Sequence, residues 1–87
     1  MLLPESLKLL TDTLWQIQDR DELEKVLEDL MSPWELVEIA ERINIIRSLK
    51  EGKTQRVIAD DLGISVTTVS RGSRVLKYWR GVIEKYV

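Results

Sequence analysis

Apolar residues return at three- and four-residue steps along most of this chain, and no stretch alternates convincingly with the two-residue rhythm of a half-buried strand. Leu3, Leu7, Leu10, Leu14 and Ile17 form one such stripe and predict a first helix from about Pro4 to Ile17. Asp19 followed by Glu22 has the spacing of a capping box, opening a second helix to Leu30 with Leu23, Val26, Leu27 and Leu30 on its inner face. Ser32-Pro33-Trp34-Glu35 supplies a cap, a proline at the first helical position and a closing glutamate. The third helix is therefore expected from Pro33 to about Glu51, stopping at Gly52, with a broad stripe of Leu36, Ile39, Ala40, Ile43, Ile46 and Leu49. Two further helices are expected over roughly Thr54 to Leu62 and Ser65 to Lys77, then a short terminal one, Tyr78 to Val87, interrupted by Gly81. The pattern predicts an all-α protein in one domain, 1–87: dimerisation helices in 1–52, a two-helix head in 53–77 and a short C-terminal helix in 78–87. Wide stripes on three helices exceed what so small a chain can hide, so an intertwined homodimer is expected.

The segment Thr54 to Lys77, TQRVIADDLGISVTTVSRGSRVLK, carries the most information. Ile58, Ala59 and Leu62 give its first helix an inner face, and small Ala59 permits a close crossing by the next helix. Gly63 can take the left-handed conformation that a sharp turn between helices requires. Ile64 and Val69 pack the second helix back, which leaves Val66, Thr67, Thr68, Ser70, Arg71 and Arg74 facing outward or towards a cleft. This is the layout of a helix-turn-helix placed to enter a DNA major groove. Ser65 and the following hydroxyl residues suit base edges and phosphates, and Val66 and the threonine methyls can touch thymine methyls. Gln55, Arg56 and Lys53 stand near the start of the preceding helix, where phosphates are met. Gly72 is out of place: an interior glycine costs a helix about 1 kcal/mol relative to alanine. A slot in which a small molecule lies against the backbone is one reason for it.

Charge sharpens the picture. The whole chain has a net charge of −2, but Met1 to Glu41 carries 11 acidic and 3 basic residues, whereas Arg42 to Val87 carries 4 acidic and 10 basic. A polyanion would meet the C-terminal half, which is also the half holding the motif. The chain has neither cysteine nor histidine, so disulfides, thiolate metal sites and the usual general base are excluded. No catalytic or metal site is expected. Asp60 and Asp61 diverge by about 100° on a helix and cannot share a substrate. No apolar run approaches the roughly 18 residues that span a bilayer, and Met1-Leu2-Leu3-Pro4 lacks the basic region of a secretory signal, so the expected location is cytoplasmic. Trp15, Trp34 and Trp79 are expected in core or dimer contacts.

TQRVIADDLG followed by SVTTVSRGSRVLK resembles the helix-turn-helix of the tryptophan repressor family, including its SRGS. Ser32-Pro33 and Arg42-Ile43-Asn44-Ile45-Ile46 also match the family pattern upstream. The resemblance implies an interleaved homodimer with L-tryptophan bound between dimer core and head, and no other cofactor. It implies that Arg42 and Arg71 flank the indole and engage the carboxylate, that Gly72 lies flush against the ligand, and that Ser32 and the backbone near Met31 add polar contacts, from the other chain. Val75 stands where well-known members have a serine that helps hold the ligand ammonium. Ala59 stands where they have a lysine reaching the DNA backbone, and Arg74 can restore that contact.

The expectation is a ligand-responsive DNA-binding repressor on a palindromic operator. DNA would be met by Gln55, Arg56, Ser65, Val66, Thr67, Thr68, Ser70 and Arg74. A small aromatic amino acid would be met by Met31, Ser32, Arg42, Arg71, Gly72 and Val75. Two alternatives share the helices: a constitutive DNA-binding protein of the same kind without an effector, and a helical protein-interaction adaptor.

Overall fold

The computed structural model describes residues 1–78 and 82–87, and the side chains of all of these except 75–78. The described residues form helices α1 (Leu3–Leu14), α2 (Arg20–Leu30), α3 (Pro33–Lys50), α4 (Gln55–Leu62) and α5 (Val66–Tyr78), then a 3-10 helix, Val82–Tyr86. The all-helical expectation is met. Residues 79–81, with Trp79 and Gly81, lie outside the described residues, and only the 3-10 helix answers to the expected terminal helix. The chain divides into two compact units, Met1–Leu36 and Val37–Val87. No described helix is long and apolar enough to cross a membrane.

In the first unit, α1 starts on Leu3 with Pro4 in its first turn, where a fixed φ suits the helix, and ends three residues earlier than expected. Gln16 N–H reaches Thr13 O and Ile17 N–H reaches Leu14 O, three-residue bonds that tighten the end and release the chain towards α2. Asp19 caps α2, but its carboxylate accepts from Asp21 N–H at 3.4 Å, two residues on. The Ser32–Glu35 box forms in full: Ser32 N–H donates to Glu35 Oε1 at 2.9 Å and Glu35 N–H to Ser32 Oγ at 3.2 Å. Neither α1 nor α2 fully buries a residue: Leu3, Leu7, Leu10, Leu23 and Leu30 of their stripes are exposed, and Leu14, Ile17, Val26 and Leu27 are half-buried.

The core lies in the second unit: Ile45, Ile58, Ala59 and Val69, with Leu49, Leu62 and Ile64 packed against it. Ile45 was absent from the expected stripe of α3, whereas Ile39 and Ala40, which were in it, are exposed. Apolar residues surround this helix, so periodicity alone could not choose the face that α4 and α5 cover. Lys50 Nζ donates to Glu84 O at 2.7 Å and Val87 O at 3.0 Å, tying the 3-10 helix to the end of α3.

Candidate nucleic-acid interface

Two glycine turns and two hydroxyl caps build the head. At the end of α3, Gly52 has φ +88°, with Gly52 N–H on Leu49 O and Lys53 N–H on Ser48 O. At the end of α4, Gly63 has φ +66°, with Gly63 N–H on Asp60 O and Ile64 N–H on Ala59 O. Both are Schellman endings, in which the left-handed residue lets the next amide reach back to an orphan carbonyl. Thr54 caps α4 by accepting from Val57 N–H at 3.2 Å. Ser65 accepts from Thr68 N–H at 3.1 Å at the opening of α5. Ile64, the residue after the glycine, packs on the core and holds the turn closed.

That core sets which face of α5 is presented. Val69 is 0 % exposed and Ile58 1 %. With about 100° per residue, Thr67, Arg71 and Arg74 share the face of α5 opposite Val69, and all three are exposed. Val66, Thr68 and Arg56 are exposed as well. The structure therefore leaves Arg56, Val66, Thr67, Thr68 and Arg74 of the expected DNA set on the surface.

Three other members of that set have structural partners. Ser65 uses its hydroxyl as the cap of α5, and the same oxygen lies 2.8 Å from Thr68 Oγ1. Ser70 and Gln55 are half-buried, and Ser70 Oγ donates to Gln55 Oε1 at 2.7 Å. Ser73 joins them, accepting from Gln55 Nε2 at 3.4 Å. Sequence reasoning missed Ser73; its only trace was the three-residue spacing from Ser70. Lys53 lies 3.6 Å from Asp61 Oδ2 and 3.8 Å from Glu51 Oε2, so its ammonium is shared with carboxylates. Asp61 is thus an ion-pair partner.

The expected ligand set divides between the units. Met31 and Ser32 belong to the first, at the junction of α2 and α3, where the N–H and the hydroxyl of Ser32 are engaged in the capping box. The bond from Ser32 N–H, and then its hydroxyl, holds the Glu35 carboxyl below its ordinary value. Arg42, Arg71 and Gly72 belong to the second unit; both arginines are exposed and Gly72 is buried. The Val75 side chain lies outside the described residues. Gly72 has a reason for its missing side chain within the chain itself. A Cβ there would stand 2.8 Å from Ile45 Cγ2, 3.1 Å from its Cδ1 and 3.3 Å from its Cβ. The space that the interior glycine opens is filled by α3, so a guest is not needed to account for it. Ala59, 4 % exposed, is a core residue of the head.

A model described as Trp repressor protein matches residues 5–86. A Trp operon repressor homolog of Chlamydia trachomatis is 46% identical over 59 residues, covering 62% of this chain and 63% of the relative. The uncharacterized protein YerC of Bacillus subtilis is 30% identical over 80 residues, covering 92% of this chain and 77% of the relative. A Trp operon repressor homolog of Vibrio cholerae is 36% identical over 67 residues, covering 76% and 65%. The chain thus spans a little under two thirds of the Chlamydia and Vibrio relatives. No solved structure matches significantly. With the match running from the first turns of α1 to the terminal 3-10 helix, through both glycine turns and the SRGS of α5, the chain belongs to the Trp repressor family.

Proposed function

We propose that this chain is a DNA-binding transcriptional regulator, a homodimeric repressor that presents one α5 from each copy to a palindromic operator in the cytoplasm. The observation that carries this reading is the pairing of the left-handed Gly63 turn with a capped α5 whose Thr67, Arg71 and Arg74 share an exposed face. Hydroxyl and guanidinium groups on such a face can donate to base edges and phosphates, and two copies would read half-sites about 34 Å apart. Family membership supports a regulatory, non-enzymatic role. Exposed leucines on α1 and α2 support the dimer.

L-tryptophan as corepressor is the reading that the family resemblance favours, with Arg42 and Arg71 supplying stacking planes and charge for the carboxylate. One observation favours the constitutive alternative: Ile45 fills the space at Gly72, so a flat guest lying flush against that backbone has to displace it first. Fluorescence anisotropy of labelled palindromic duplexes across a salt series, with and without L-tryptophan, separates the readings. Tighter binding with tryptophan supports the corepressor, and equal binding supports the constitutive regulator. Absence of any salt-dependent affinity rejects the DNA reading in favour of a protein-interaction adaptor.

A further inference from the structure

Gln55 and Ser70 stand where phosphate contacts are expected, yet their polar atoms close a ring within the head. Ser70 Oγ donates to Gln55 Oε1 at 2.7 Å, Gln55 Nε2 donates to Ser73 Oγ at 3.4 Å, and Ser73 Oγ donates to Ser70 O at 2.7 Å. All three residues are half-buried. A serine hydroxyl has one proton, and the phosphodiester of DNA can only accept. With its proton committed to Gln55, Ser70 has none to offer a phosphate, and the Gln55 side-chain amide has one N–H outside the ring. Among the described side chains, Ile58, Ala59 and Leu62 of α4, Val69 of α5 and Ile64 between them pack in the apolar cluster beside this ring. Apolar burial is non-directional and by itself favours contact more than any one angle of it. Hydrogen bonds have angular preference and remove that freedom.

We propose that Gln55, Ser70 and Ser73 are positioning residues: a clasp from the first turn of α4 to the middle of α5 that fixes the angle at which α5 meets base edges. The proposal rests on the DNA-reading function and names what sets its specificity. The clasp acts on base discrimination, which needs the reading helix within a narrow range of tilt, and leaves phosphate attraction untouched.

The test is a double-mutant cycle on the full chain with Gln55→Ala, Ser70→Ala, their double variant, Ser73→Ala and the hydroxyl-retaining Ser70→Thr. Three quantities are read: the affinity ratio between a selected duplex and a scrambled one of equal length, the salt slope on the scrambled duplex, and urea unfolding of the free protein. Each alanine variant is expected to lower the ratio roughly tenfold, the double no further than either single, and Ser70→Thr to recover most of it. The salt slope is expected to stay as in the parent. Losses that multiply in the double variant with a shallower slope, as two separate phosphate contacts would give, overturn the clasp. So does lower stability with an unchanged ratio. If the parent chain binds neither duplex, the DNA reading fails by itself, and the unfolding cycle then judges the hydrogen-bonded ring alone: coupling between positions 55 and 70 keeps it, and additive effects overturn it. Equal binding of both duplexes by the parent overturns the clasp as a determinant of base discrimination.

Discussion

An alanine methyl at position 72 would stand 2.8 Å from Ile45 Cγ2, closer than packed carbon atoms approach one another. Two opposed terms meet at that position. Alanine gains about 1 kcal/mol over glycine in a helix interior, whereas forcing extra carbon into a filled core costs about 1–3 kcal/mol. The closest contact is with Ile45 Cγ2, bonded to Cβ and so held near the α3 backbone, and Gly72→Ala is expected to destabilise by about 1 kcal/mol. In an Ile45→Ala background the same change should stabilise by about 1 kcal/mol, because only the helix term remains. Urea unfolding of the four chains reads this reversal of sign, and a stabilising Gly72→Ala in the parent would show that Ile45 does not fill the space. An anomalous glycine was legible in the sequence. What occupies the gap was not, since a neighbouring helix and a flat guest leave the same mark on a sequence.

Helix boundaries were legible at the Ser32–Glu35 box and at Gly52 and Gly63, whereas the capping roles of Thr54 and Ser65 were not read and Asp19 caps through Asp21 N–H. Ser32 and Glu35, Thr54, Gly52 and Gly63 all act as their residue types require. The end of α1 was less so, because nothing between Trp15 and Gln18 is a strong stop and the choice falls to three-residue backbone bonds. Glu35 carries a pH consequence. Its folded pKa is lowered by the Ser32 bonds, so its contribution is fully present above its ordinary 4.5 and is lost as pH falls through the depressed value. Thermal unfolding of Glu35→Ala against the parent should differ at pH 7 and converge as the pH is taken below the carboxylate range. A gap that persists in acid would assign the effect to packing. At the other cap, Ser65→Ala should cost about 1 kcal/mol and Ser65→Asp should keep most of the stability. If Ser65→Ala instead leaves unfolding unchanged and weakens only DNA binding, the hydroxyl serves DNA rather than α5.

Across the whole chain, the two units differ in what they bury. The second has a core around Ile45, Ile58 and Val69; in the first, Trp15 is 85 % exposed and Trp34 71 % exposed. Those tryptophans were expected in core or dimer contacts, and within one chain they are not core. A copy of the same chain is the occupant that family membership favours, so the unfolding midpoint should rise with protein concentration, and Leu10→Glu should abolish that dependence. A midpoint independent of concentration in the parent would reject the dimer. Charge acts at this scale too. The acidic first half and basic second half were legible from composition, but the pairing of Lys53 with Asp61 was not, because it depends on how the Gly52 turn lays Lys53 beside α4. Asp61→Asn removes one negative charge and leaves the Lys53 ammonium with Glu51 alone, so duplex affinity should rise severalfold at low salt with a salt slope steeper by about one contact. An unchanged slope would place Lys53 away from the phosphates.

Selection from a random-sequence duplex library by the full chain, followed by sequencing of the retained fraction, bears most directly on the DNA-reading head. The account predicts an inverted repeat whose half-sites lie about one helical turn apart, lost when Thr67 and Arg74 are replaced by alanine. Retention without any enriched sequence, or an enriched site that survives those replacements, would contradict it.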